Sequence, residues 1–235
     1  TKAGASKPCL TRQQASPYIA DSPVSNSIPP MPVADTKAKP RWERRKDARP
    51  QELLDAALDL FVERGYAATR LDDVASRAGV SKGTLYLYFE NKEELFKAVV
   101  RANLVSALAE AEDYVAQYTG SSRELLRGFI LRWWERIGET KLSGISKLMM
   151  AESGNFPDVA RFYHEEVIQR SNALIISMLE RGISRGEFRP VDKVNANLVI
   201  VAPVMMLMMW KHSFHSCRLE PISAPAYLDC FLDLL

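Results

Sequence analysis

The stretch Lys82-Gly83-Thr84-Leu85-Tyr86-Leu87-Tyr88 carries an ammonium group, a position with no side chain, a hydroxyl and two phenols. Such groups exchange hydrogen bonds with phosphate oxygens or base edges, and none of them is an activated nucleophile. On a helix Leu85 and Phe89 face the same side. Lys82, Gly83, Thr84, Tyr86 and Tyr88 are then left towards solvent, or towards a DNA major groove about 12 Å wide. Other chemistry fails on spacing. His212 and His215 lie three apart near a predicted helix end, with Cys217 beyond, and no further ligand completes a metal site. His164 has no partner that can be placed. No Ser-His-Asp set, Cys-His pair or phosphate-cradling Gly-rich loop occurs. Neither enzyme activity nor a metal or cofactor is expected.

Two short helices must hold the exposed face. One is predicted from Leu71 to Ala78 and the other from about Ser81 to Phe89, with the turn at Gly79. Thr69 is expected to cap the first, and Asp72 and Asp73 sit in its first turn, where free amides favour negative charge. Val74, Ala75 and Ala78 make a small apolar face for close approach, Val80 plugs the corner, and Ser81 caps the second helix. Helix, glycine turn, helix is the helix-turn-helix pattern. Upstream, Leu53, Leu54, Ala57, Leu58 and Phe61 recur with helical period up to Gly65. Downstream, a long helix should run from Asn91 or Lys92 towards Tyr118, with Leu95, Val99, Leu104 and Leu108 on its apolar side. Further helices are predicted at 122–137, 144–152, 158–185, 192–213 and 223–234, separated by Gly- and Pro-containing breaks. No strand pattern competes. The fold class is all-α, with about nine helices.

Charge is unevenly divided. Of 31 Lys and Arg against 29 Asp and Glu, residues 1–50 hold ten basic and four acidic, a net +6, and the remainder is net −4. Seven basic residues fall between Lys37 and Arg49, facing only Glu43 and Asp47. Such a segment suits a polyanion, and equally a solubilising tail. Residues 1–40 carry seven of the 13 Pro, which points to an irregular or extended tail. No apolar run there resembles a signal peptide, and three scattered Cys form no disulfide framework, so a cytoplasmic location is expected. The apolar run Leu198–Trp210 has 13 residues against the roughly 20 of a membrane span. It is therefore expected to be a buried helix without a membrane role, and its all-round apolar character suggests cover from a second subunit.

The string from Thr69 to Lys92 resembles the DNA-binding domain of the TetR/AcrR family of bacterial one-component regulators. The resemblance begins near Gln51 and passes through Phe61, Gly65, Tyr66, Ala68, Thr69 and Arg70. It is strongest over Val74-Ala75 and Ala78-Gly79-Val80-Ser81-Lys82-Gly83-Thr84-Leu85-Tyr86, and it continues to Asn91-Lys92-Glu93-Glu94-Leu95. The later region resembles the family's ligand-binding domains around Ala151-Glu152, Phe156-Pro157, Phe162-Tyr163 and Gly186-Glu187-Phe188-Arg189-Pro190. The resemblance implies an N-terminal three-helix helix-turn-helix DNA-binding domain followed by a larger helical ligand-binding and dimerisation domain. The divisions are a Pro-rich tail over 1–40, the DNA-binding domain with its basic arm over 41–92, and the effector and dimer domain over 93–235.

It further implies a ligand-responsive regulator, a repressor on a palindromic operator, acting as a homodimer released by a small apolar or aromatic effector. Two alternatives stand beside it: a small-molecule binder with a vestigial helix-turn-helix, and an activator or global regulator of the same family. By position, Ser81, Lys82, Gly83 and Thr84 would meet base edges and nearby backbone. Tyr86 would reach a thymine methyl or a phosphate, Tyr88 a phosphate, and Thr69, Arg70 and Lys92 the flanking backbone of double-stranded DNA. Arg44, Arg45 and Lys46 would form an arm along that backbone. Arg77 is left out of this set. Among the large soft residues of the second domain, Trp133, Met149, Phe162 and Met178 are the effector-pocket candidates.

Overall fold

The computed structural model describes residues 49–214 and 222–234, which are helix and turn with no strand among them. Arg44, Arg45 and Lys46, like His215 and Cys217, lie outside the described residues. Nine helical rods occur among the described residues: α1 (Arg49–Ala68), α2 (Leu71–Arg77), α3 (Lys82–Tyr86), α4 (92–117), α5 (122–138), α6 (Ser143–Glu152), α7 (157–184), α8 (Lys193–Ser213) and α9 (Ala224–Asp233). Three of them contain a π-helical turn, at Arg101–Val105 in α4, Trp134–Gly138 in α5 and His164–Ile168 in α7. The residues flanking these turns keep helical φ and ψ, so each rod is continuous.

The helix starts follow from side-chain caps. Asn91 accepts from the Glu94 amide at 2.9 Å, Ser121 from Glu124 at 3.2 Å, and Asp192 from Val194 at 3.0 Å. The 3.6-residue period then buries one stripe of each rod: Leu53, Ala57, Leu58 and Phe61 on α1, and Leu95, Val99, Leu104 and Leu108 on α4. Two clusters result. The first joins Leu53, Phe61, Leu85 and Phe96 to Ile145, Leu148, Val159 and Phe162, so α1–α4 share their core with α6 and α7. The second joins Leu125 and Phe129 of α5 to Met178, Val204, Leu207 and Leu228 from α7, α8 and α9. Each large side chain so buried contributes about 1.5–3 kcal/mol, and the first cluster spends that energy on both halves of the chain at once.

α8 departs from the expected buried helix. It is 21 residues long, and by length and composition alone it is the one helix among the described residues that would suffice to cross a membrane. Only 28% of its most apolar window is buried, and Val194, Leu198, Val199 and Met206 are exposed. The apolar run read from the sequence is flanked by two further helical turns, capped by Asp192 at the start and carrying Lys211 and His212 at the end.

The end of α8 is pinned by polar contacts. Lys211 donates to the carbonyls of Gly138, Glu139 and Thr140 at the end of α5, and Lys147 donates to the His212 carbonyl at 2.8 Å. Ser143 Oγ lies 2.7 Å from His212 Nε2, with the carbonyls of Gly138 and Thr140 at 3.0 and 2.9 Å. One hydroxyl proton serves those carbonyls, so His212 Nε2 donates to Ser143. Serine and imidazole therefore form a structural contact and not a nucleophile–base pair. Burial, followed by the charges of Lys211 and Lys147, lowers the His212 pKa from 6.5. The unfolded chain then binds the proton more readily, and His212's contribution to stability is complete above pH 6.5 and is lost as pH falls below it. Thermal melts from pH 8 to about pH 5 should show a falling midpoint that is shallower in His212→Gln; equal slopes would refute the assignment.

Candidate nucleic-acid interface and effector cavity

α3 is a five-residue helix set on the surface by one buried anchor, Leu85. Val74 and Ala75 of α2 are buried beneath it, and Gly79 makes the turn between the two helices at φ 67°. Ser81 caps α3 as expected, accepting from the Thr84 amide at 3.1 Å, and its hydroxyl also meets that of Thr84 at 2.9 Å. Ser81, Lys82, Gly83, Tyr86 and Tyr88 are exposed, as is Arg70 just before α2, and Thr84 is half-buried between them. Seven of the predicted residues thus reach solvent on α3 and in the segments flanking α2 and α3. Leu87, 82% exposed, stands among them and was not singled out in the sequence, although the inward pair Leu85 and Phe89 already required it to point out.

Lys82 is not idle in this state. Its ammonium pairs with Asp72 at 2.9 Å and lies 5.9 Å from the centre of the Tyr86 ring. The hydrogen bond to Asp72 holds its pKa above the usual lysine value, so it is a cation at any neutral pH. Both partners are well exposed, so theirs is a weak surface pair that Lys82 readily exchanges for a base or phosphate. A Cβ on Gly83 would meet nothing closer than Ser81 Oγ at 3.9 Å, so packing does not demand glycine there. Arg77 is held by Glu63 through two 2.9 Å hydrogen bonds.

One expected backbone contact is corrected. Thr69 is 1% exposed: its hydroxyl faces the carbonyls of Gly65 at 2.7 Å and Leu60 at 3.1 Å. The N-cap of α2 is instead Arg70, without a side-chain cap. A hydroxyl needed by the end of α1 is unavailable to DNA. Lys92 is half-buried and donates to the carbonyls of Tyr66 at 2.7 Å and Ala67 at 3.1 Å, with the Tyr66 ring 4.5 Å away. Burial lowers its pKa, against the opposing charge of Glu152.

A cavity of about 370 Å³ lies between α5, α6, α7 and α8. Phe129, Ile130, Trp133, Met149, Ile175 and Val204 form much of its wall, and Ser146, Ser153, Tyr163, Ser171 and Asn172 bring the polar groups. Ser146 and Tyr163 share a hydrogen bond at 3.1 Å, and burial pushes the Tyr163 phenol up, so it stays neutral. Trp133 and Met149 are on this wall as expected. Phe162 and Met178 are not. Phe162 turns to the other core, under Lys97 and Arg101 at 5.8 and 4.9 Å, and Met178 is wholly buried among α5 and α8. The sequence could not fix the phase of α7. The cavity takes its Ala160, Tyr163, Val167, Ser171 and Ile175 stripe; Phe162 lies about 100° around the helix from Tyr163, whereas Met178 continues the stripe one turn past Ile175, where the second core covers it. Among the described residues no cluster of His, Cys, Asp and Glu is arranged to hold a metal.

Residues 53–99 match the family described as bacterial regulatory proteins, tetR family, and residues 124–216 match the AefR-like transcriptional repressor, C-terminal domain. The chain belongs to the TetR family and is a transcriptional regulator. It is similar to the HTH-type transcriptional repressor KstR2 of Mycobacterium tuberculosis, with 31% identity over 145 residues, 61% of this chain and 71% of the relative. The HTH-type transcriptional activator FasR of Mycolicibacterium smegmatis is 40% identical over 95 residues, 39% of this chain and 42% of that protein. In fold the chain resembles the transcriptional regulator FadR of Bacillus subtilis, solved in complex with stearoyl-CoA. The TM-score is 0.66 at 21% identity, covering 78% of this chain and 96% of that one.

Proposed function

We propose that this regulator is a repressor that binds a palindromic operator as a homodimer and is released by a small apolar or aromatic effector. The observation that carries it is an exposed hydrogen-bonding face on α3 sharing one hydrophobic core with the helices of an apolar cavity. Residues 41–92 form the DNA-reading domain and 93–235 the effector and dimer domain, and the chain works in the cytoplasm where its DNA is. Arg70, Ser81, Lys82, Gly83, Thr84, Tyr86 and Tyr88 meet the major groove and its flanking phosphates. Arg44, Arg45 and Lys46 extend along the backbone. Two recognition helices about 34–36 Å apart would each enter a groove on one face of the duplex.

The apolar outer face of α8, with Val194, Leu198 and Met206, supports a second subunit as its cover. FadR, seen with stearoyl-CoA, makes a fatty acyl chain the first effector to try against these walls. FasR, named as an activator, supports a second reading in which the same complex raises transcription; the sign depends on operator position. The test takes a duplex selected from random DNA on the purified protein. Light scattering should give twice the 26.4 kDa chain mass, and the duplex should bind above competitor DNA and dissociate as stearoyl-CoA is added. A monomer at micromolar concentration, or no sequence preference over competitor, would refute the proposal.

A further inference from the structure

Where α1 gives way to the helix-turn-helix, two residues are held through both their amides and their carbonyls. The Tyr66 and Ala67 amides donate to the two carboxylate oxygens of Glu152 at 2.9 and 3.0 Å. The carbonyls of the same two residues accept from Lys92, at the start of α4. Orphan amides and carbonyls at a helix end are satisfied in many ways, but here the acceptor comes from 86 residues away, at the last position of α6. The site is shaped for that carboxylate: Gly65 has φ 84° and ψ 171°, and a Cβ on it would lie 2.4 Å from Glu152 Oε1. The Tyr66 ring is fixed by Phe61, Phe96 and Phe156, the last of these just beyond α6, with ring centres 4.7–5.7 Å apart.

The chain just before α6 is also tied to α1, where Lys141 pairs with Asp59 at 2.5 Å. The remaining side of α6 belongs to the cavity, because Ser146, Met149, Met150 and Ser153 all line it. A molecule that fills the cavity therefore presses on the residues either side of Glu152. We propose that Glu152 is the positioning residue through which cavity occupancy acts on the DNA-reading helices. With the cavity free, its carboxylate fixes the Gly65–Ala67 turn and hence the direction in which the chain enters α2 and α3. When the last turn of α6 is displaced, two charge-assisted hydrogen bonds are lost together and the turn is released. This rests on the effector-responsive reading above, and the experiment separates the two.

The variant is Glu152→Gln, which keeps the length and one oxygen but loses the charge and sets an NH2 against an N–H. Duplex affinity is measured with and without stearoyl-CoA, alongside amide exchange at Tyr66 and Ala67. In the wild type, stearoyl-CoA should weaken binding and expose both amides. E152Q should bind the duplex about tenfold more weakly from the start, with both amides already exposed and a further effect of stearoyl-CoA below about twofold. A merely structural loss would leave the ratio of affinities with and without stearoyl-CoA as in the wild type, and that result overturns the proposal. If the wild type binds the duplex and ignores stearoyl-CoA, the acyl-effector reading fails, and E152Q's own affinity and exchange still decide the role of Glu152. If E152Q does not fold, wild-type exchange decides. Amides that stay protected while stearoyl-CoA releases the duplex would overturn the proposal.

Discussion

Replacing Lys82 and Tyr86 together by Ala should weaken binding to the selected duplex about 100-fold, with no more than about 0.5 kcal/mol change in unfolding free energy. Both side chains are exposed, Tyr86 by 46%, and the ion pair that Lys82 forfeits is a surface pair with Asp72. Folding therefore has little to lose. On DNA the two contacts are worth about 1–3 kcal/mol for the base-directed lysine and a comparable amount for the phenol, and each 1.4 kcal/mol is about tenfold. Loss of the cation should also flatten the dependence of log affinity on log salt by about one unit if Lys82 meets a phosphate, and leave it nearly unchanged if it meets a base. Gly83→Leu is the companion variant. The free protein has room for the side chain, so stability should hold or rise, whereas the groove has none and affinity should fall as far. Fluorescence anisotropy across a salt series and urea unfolding measure the two halves; full affinity in K82A/Y86A would remove α3 as the reading head.

Gly65→Ala should be strongly destabilising, lowering unfolding free energy by about 3 kcal/mol or more. The backbone there, at φ 84° and ψ 171°, is a region almost confined to glycine, and an L-residue pays about 1–3 kcal/mol to hold it. The new Cβ would also lie 2.4 Å from Glu152 Oε1, so the carboxylate must withdraw from the Tyr66 and Ala67 amides. Gly79→Ala is the contrast. Its φ is 67° but nothing lies within 4 Å of a Cβ, so only the backbone term of about 1–2 kcal/mol applies. Chemical denaturation of the two variants should rank them in that order; equal losses would mean that the Glu152 contact carries no weight at this turn.

The helix-turn-helix was legible because its information is local. The i, i+4 pair Leu85 and Phe89, the glycine turn and the Ser81 cap act over fewer than ten residues, and the structure keeps all three. Thr69 was misread for the opposite reason. A hydroxyl before a helix can cap it locally, but this one is buried by the end of α1 and meets the carbonyls of Leu60 and Gly65. The grip of Lys92 on the Tyr66 and Ala67 carbonyls was likewise out of reach of local reading, since the backbone it holds is 25 and 26 residues away. In the cavity, residue type identified Trp133 and Met149, while Phe162 is off the wall by helix phase and Met178 because it lies one turn past the last cavity-lining residue of α7. Apolar residues fill walls and core alike, and only packing distinguishes them.

The helices, their breaks, the exposed α3 face and the family follow from the order of residues, because caps, glycines and 3.6-residue periods are local physics. The cavity wall, the exposed side of α8 and the grip of Glu152 and Lys92 on the Tyr66–Ala67 peptides were decided by tertiary structure. Glu152 lies 86 residues from Tyr66 and Lys92 lies 26. No spacing rule joins them, and only the shared core of α1, α4, α6 and α7 brings the three into hydrogen-bonding range.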